Sequence, residues 1–211
     1  MAMMAPAGRF MLSIWGRKNS QRSFHSLNTS GDSHVKTLCQ TNRLTEAVDT
    51  FSHLLSAKSN PTITTCNILL SSLVQRNRHQ SALRVYRLMV EADIVPNLIS
   101  LSIVINCHCE TGRMDYAFKV FEGMEAHGYI PNVVIFNTII KALCRTGRTE
   151  DAVKLFNQMV NKREFPNLLT YNTLIDGLCK RGKTHVAFGL IAVMLQKGHE
   201  PNTITFSALM E

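Results

Sequence analysis

Nowhere in its 211 residues does the chain hold a run near the ~20 apolar residues that a membrane helix takes, so no membrane partner is expected. No C-x-x-C pair occurs among the six cysteines, which removes the usual spacing of zinc ligands. The eight histidines are scattered, with no nucleophile set beside a base, so neither enzyme activity, nor a metal, nor a cofactor is expected. Acidic side chains are missing from residues 1–27, which hold Arg9, Arg17, Lys18 and Arg22. Those four cations supply half of the formal net charge of +8, and the rest of the chain is only mildly basic. A basic balance of this kind favours a polyanionic partner but says nothing about fold.

The acid-free leader mixes Arg and Ser with Phe10, Met11, Leu12, Ile14 and Trp15, as amphipathic transit peptides do. Ser13 interrupts its apolar run and no small-residue cleavage site follows, so a secretory signal fits less well. Arg22-Ser23-Phe24 resembles a mitochondrial processing site. Residues 1–24 are therefore read as an organellar targeting peptide, with the mitochondrion as destination and the chloroplast as the alternative.

What is present is a period. Pro61, Pro96, Pro131, Pro166 and Pro201 stand 35 residues apart without one insertion. Ala47, Ala82, Ala117, Ala152 and Ala187 keep the same step, as do Phe51, Tyr86, Phe121, Phe156 and Ile191. Leu54, Met89, Met124, Met159 and Met194 form a third series. Within a unit these fall at positions 20, 24 and 27, one face of a helix. The first half of each unit is helical too: Phe136, Ile139, Ile140 and Leu143 run i, i+3, i+4, i+7, and so do Tyr171, Leu174, Ile175 and Leu178. A turn such as Thr146-Gly147-Arg148 separates the halves, and proline stops the second helix. No unit can bury its own apolar face, so the units must stack. The expected fold is all-α, an α-solenoid of stacked helix–turn–helix 35-residue repeats. Its units are 63–97, 98–132, 133–167 and 168–202, followed by a truncated repeat at 203–211. Residues 25–62, in register from 28, read as a degenerate N-terminal repeat or cap, with Gly31 and His34 where Tyr171 and Leu174 stand later.

The segments PNLLTYNTLIDGLCKRG (166–182), PNVVIFNTIIKALCRTGR (131–148) and PNLISLSIVINCHCETGR (96–113) resemble the pentatricopeptide repeat family. The tetratricopeptide family has 34-residue units and its own Trp-Leu-Gly-Tyr pattern, which is missing here. With an organellar leader, the chain looks like a plant member made only of 35-residue units, similar in wording to the restorer-of-fertility-like subgroup. That resemblance implies sequence-selective binding of single-stranded organellar RNA, in support of transcript processing, stability or translation. One base is read per repeat, by the fifth residue of a unit together with its last. The pairs would be Asn67 with Asn97, Ser102 with Asn132, Asn137 with Asn167, and Asn172 with Asn202. Thr64, Ile99, Val134, Leu169 and Ile204, at position 2, would sandwich the bases. The family's code then expects 5′-pyrimidine-A-pyrimidine-pyrimidine-3′. Asp32 and Thr62 are the corresponding pair in the degenerate unit.

Independently of the family, short polar side chains recurring at one place on the first helices line one surface, where they can bond an unstacked base. An N-cap role explains Asn97, Asn132, Asn167 and Asn202 equally well, whereas Asn67, Asn137 and Asn172 sit inside helices, where Asn is a poor former. The basic residues at position 16 (Arg43, Arg78, Arg113, Arg148, Lys183) could touch phosphate, or simply favour a helix C-terminus. Gly177-x-x-x-x-Gly182-Lys183-Thr184 spells a phosphate-binding P-loop, but inside a helical pattern without the strand that motif needs. Cys39, Cys109, Cys144 and Cys179 share position 12 and read as small core residues. Some relatives carry an appended deaminase-like domain marked by H-x-E and C-x-x-C; neither element is expected in this chain. Two other readings stay open: a truncated or partial repeat protein without independent RNA binding, and a protein-binding scaffold or self-association through the uncapped C-terminal end.

Overall fold

Proline before a capping residue starts the first helix of a unit, and a left-handed residue ends each helix. This punctuation recurs through the computed structural model, which describes residues 29–210. The first helices are α1 (Thr29–Gln40), α3 (Ile63–Gln75), α5 (Leu98–Glu110), α7 (Val133–Arg145), α9 (Leu168–Cys179) and α11 (Thr203–Met210). The second helices are α2 (Leu44–Ser56), α4 (His79–Glu91), α6 (Met114–Ala126), α8 (Thr149–Asn161) and α10 (Thr184–Gln196). Among the described residues there is no strand, and no helix is long and apolar enough to cross a membrane.

The start signal is a side-chain cap. Asn97, Asn132 and Asn167 sit in extended backbone, and their Oδ1 atoms accept from the N–H of Ser100, Ile135 and Thr170 at 3.0, 3.2 and 3.1 Å. The stop signal is positive φ at position 15, held by Asn42, Asn77, Gly112, Gly147 and Gly182. The next N–H then reaches back to close the helix end, as Arg78 N does on Leu73 O and Arg148 N on Leu143 O, at 2.9 and 2.8 Å. The same device closes the second helices, where Lys58, Asp93, Gly128, Arg163 and Gly198 take positive φ. Glycine is easy at such a place. Asn and Asp tolerate it, and Lys58 and Arg163 adopt it because the turn around them is fully bonded.

Successive first helices pack on one another along the whole array, while each second helix packs on its own partner and those from α2 to α8 pack also on the next first helix. The first helices thus form the more continuous of the two layers. Between the layers lie the alanines at position 20, all 0–1% exposed, and Phe51, Tyr86, Phe121 and Phe156 above them. A small residue there lets helices cross closely while its large neighbours fill the remaining space. Rings of adjacent units meet edge to face, Phe121 on Phe136 at 5.3 Å and Phe156 on Tyr171 at 5.6 Å.

The first unit is helical in both halves. Gly31 lies where Leu54 comes so close that a Cβ would meet its Cδ2 at 2.6 Å, so the place of the missing ring is taken by a leucine of the same unit's second helix. The targeting reading of residues 1–24 lies outside the described residues.

Candidate nucleic-acid interface

The last residue of a unit is the N-cap of the next first helix, so its side chain lies beside position 5 of the preceding first helix. Asn67 Nδ2 donates to Asn97 Oδ1 at 3.2 Å, Asn137 Nδ2 to Asn167 Oδ1 at 3.3 Å, and Asn172 Nδ2 to Asn202 Oδ1 at 3.2 Å. The backbone sets the polarity of each pair. The N–H at position 3 of the following helix must be accepted, so the capping Oδ1 faces it, and the position-5 amide must then offer Nδ2 to that same oxygen. The cap and the pairing thus use one atom. The Nδ2 groups of the capping asparagines donate to no protein acceptor among the described residues and remain donors for a ligand.

Ser102 and Asn132 are not joined. Ser102 Oγ donates to the carbonyl of Ile99 at 2.8 Å, one turn back in its own helix, while Asn132 caps through Ile135 N alone. The hydroxyl is too short to reach across the units. In the first unit Asp32 does reach: its carboxylate accepts from Thr62 Oγ1 at 2.6 Å and from Thr62 N at 3.2 Å.

Position 2 projects into solvent. Ile99, Val134, Leu169 and Ile204 are 55–61% exposed, and Thr64 is exposed as well, while the neighbours at position 3 are fully buried. Large apolar side chains repeating on an open surface do not serve the core. Val134, Leu169 and Ile204 line one groove of about 500 Å³ with Asn137, Asn167 and Asn172, and Lys141 and Asp176 stand at its edge. The groove therefore alternates apolar walls with amide donors, one set per unit. A larger apolar cleft of about 690 Å³ opens on the other side, between α8 and α10, and it lacks the amide ladder.

Sequence inspection missed position 3. Thr170 Oγ1 donates to Asn137 Oδ1 at 2.7 Å, and Thr205 Oγ1 to Asn172 Oδ1 at 2.6 Å. The signal was present as a hydroxyl residue at Thr65, Ser100, Thr170 and Thr205, with Ile135 the exception.

The remaining sequence signals fall into structural places. Four of the five position-16 cations are held by protein groups: Arg43 pairs with Glu46, Arg148 with Asp151 at 2.8 Å, Lys183 with Glu150 at 3.0 Å, and Arg78 donates to Thr45 Oγ1 at 3.1 Å. In the P-loop-like string, Gly177 is buried inside α9, where a Cβ would come within 2.5 Å of Cys144 Sγ, and Gly182 closes that helix. Backbone N–H groups spent on a helix cannot cradle phosphate. All six cysteines are free thiols. Burial pushes Cys66, Cys107 and Cys109 up to about 12 and Cys144 up to about 11, so these are poor nucleophiles at neutral pH. His108-Cys109-Glu110 does spell H-x-E. Its imidazole stacks on Tyr116, and burial, with Arg113 nearby, pulls its pKa down to about 4. Among the described residues no three His, Cys, Asp or Glu side chains converge on a metal site.

These features define a helical-repeat solenoid with a periodic polar groove. The chain matches the PPR repeat family over residues 61–110, 131–180 and 166–211, and a single PPR repeat over 99–129. That is more than half its length, and the chain belongs to this family. Among curated proteins no match is found. Among solved structures it is similar to the maize pentatricopeptide repeat protein PPR10, with 24% identity over 88% of this chain and 26% of that one, TM-score 0.64. PPR10 in complex with an 18-nt psaJ RNA element is similar with TM-score 0.70, at 23% identity over 84% of this chain and 27% of that one. The PPR domain of Arabidopsis thaliana protein-only RNase P 1 in complex with tRNA gives TM-score 0.76 at 13% identity, over 88% of this chain and 97% of that one. At such identities the likeness establishes the fold. The chain spans about a quarter of the length of PPR10.

Proposed function

We propose that this chain binds single-stranded RNA in the groove along its first helices, one base per repeat. The observation that carries the reading is the pairing, in successive units, of an exposed apolar side chain at position 2 with polar groups at position 5 and at the unit's end. Bases of any identity can stack on Ile99, Val134, Leu169 and Ile204, and the polar groups between them then choose among edges. An Asn–Asn slot offers mainly N–H donors, which suit the carbonyl acceptors of uracil and the N3 and O2 acceptors of cytosine. The Ser102–Asn132 slot differs. The serine proton is committed to Ile99 O, so its oxygen accepts, while Asn132 donates. An acceptor beside a donor matches the N6 amine and N1 of adenine. The preferred sequence is pyrimidine-A-pyrimidine-pyrimidine from unit 63–97 onward. The setting is a plant organelle, the mitochondrion before the chloroplast, and the chain acts by occupying RNA, without chemistry of its own. Similarity to proteins solved with RNA bound supports the same reading.

The test is fluorescence anisotropy of the full chain against short single-stranded RNAs that differ only at the second nucleotide. Adenine should bind more tightly than guanine, and Ser102→Thr with Asn132→Asp should reverse the order, because Asp accepts from guanine where Asn donates to adenine. Affinity indifferent to sequence would leave only a weak electrostatic surface, and the reading would fail.

A further inference from the structure

We infer that a threonine at position 3 of a unit is a positioning residue for the base-reading asparagine of the unit before it, as Thr170 is for Asn137 and Thr205 for Asn172. The inference rests on the RNA-reading function proposed above. Its basis is a natural comparison among three Asn–Asn slots of one chain. Where the following unit carries threonine, the asparagine is held at both ends. Asn137 accepts from Thr170 Oγ1 and donates to Asn167, and Asn172 accepts from Thr205 Oγ1 and donates to Asn202. Where it carries serine, one end is loose. Ser100 Oγ donates instead to the carbonyl of Asn97 at 2.9 Å, and Asn67 Oδ1 is left buried with no partner. Asn67 itself is only 9% exposed, so water does not readily replace the missing donor.

Side-chain stiffness accounts for the difference. Thr170 and Thr205 also accept from the N–H of their own capping residues, at 3.2 and 3.1 Å, but the extra methyl restricts χ1 and keeps the hydroxyl proton aimed at the neighbouring unit, whereas the serine proton turns to its own helix cap. The chain of bonds then runs in one direction: the helix N–H orients the capping Oδ1, that oxygen orients Nδ2 of the position-5 asparagine, and the threonine proton holds its Oδ1. An amide fixed in this way presents one set of donors to a base. An amide loose at one end can rotate and accept as well as donate. Slots 133–167 and 168–202 should therefore discriminate pyrimidine from purine more sharply than slot 63–97, although all three carry the same Asn–Asn pair.

The experiment measures the affinity ratio of pyrimidine to purine at each nucleotide, by anisotropy on the full chain, for wild type, Thr170→Val, Thr170→Ser and Ser100→Thr. Thr170→Val keeps the shape of a fully buried side chain and removes the hydroxyl; Thr170→Ser copies the first slot. Both should lower the third-nucleotide ratio, by roughly 2- to 10-fold, the range one hydrogen bond governs, and leave the fourth unchanged. Ser100→Thr should raise the first-nucleotide ratio by a similar factor. Loss of a cap alone would shift thermal melting but no single-nucleotide ratio. A third-nucleotide ratio unmoved in Thr170→Val, or a first-nucleotide ratio unmoved in Ser100→Thr, on protein that still binds RNA, overturns this inference and leaves RNA reading standing. A wild-type chain with no affinity for RNA overturns both.

Discussion

Replacing Leu169 by Ala separates a surface built for a ligand from one built for the core. Leu169 is 61% exposed, whereas Leu174, less than two turns further along the same helix, is 0% exposed. Taking the full burial of the leucine side chain beyond Cβ as worth about 2 kcal/mol, the exposed share leaves roughly 1 kcal/mol for a stacked base to capture. Removing it should weaken RNA binding about 5- to 10-fold. The share already buried is worth less than ~1 kcal/mol, a fall in melting temperature of at most ~2–4 °C. Leu174→Ala should do the reverse, costing ~2–5 kcal/mol of stability through the cavity it leaves, because its side chain touches only protein. Anisotropy and circular dichroism melts on the same preparations read both quantities. A Leu169→Ala protein whose affinity stays within about 2-fold of wild type would refute the stacking role of position 2. So would a melting shift as large as that of Leu174→Ala.

Gly177→Ala should destabilise the array by ~1–3 kcal/mol, since the new Cβ would meet Cys144 Sγ at 2.5 Å and its Cβ at 2.6 Å, forcing α7 and α9 apart; an unchanged melt would mean the helices are not that close. The His108 imidazole, buried against Tyr116, takes its proton near pH 4 rather than at its ordinary 6.5, so between those values the unfolded chain binds more protons than the folded one. Stability from this group is therefore full above pH 6.5 and declines as pH falls towards 4. Melts at several pH values should show that decline in the wild type and a shallower one in His108→Phe.

The proline register and the 20–24–27 face declared the helical pairs and their stacking, because a solenoid repeats its contacts whenever it repeats its residues. The pairing of positions 5 and 35 was legible only through family resemblance, and an N-cap explanation competed with it. In the three Asn–Asn slots, one oxygen serves the backbone N–H and the neighbouring amide together, so the cap and the pairing coexist. Leu168, Leu169 and Thr170 illustrate what one-dimensional reading misses. The first is half-buried, the second exposed and the third fully buried, because consecutive residues turn about 100° around a helix and only the adjacent unit decides which directions are covered. Lys58 and Arg163 in left-handed backbone were equally hidden, since their side chains do not announce the turn that the bonded backbone enforces. Periodicity in the sequence thus determined the architecture, being a local property copied along the chain. Contact between units decided which side chains face the groove, which amide is held and which is left loose, because those facts depend on atoms 30 or more residues apart.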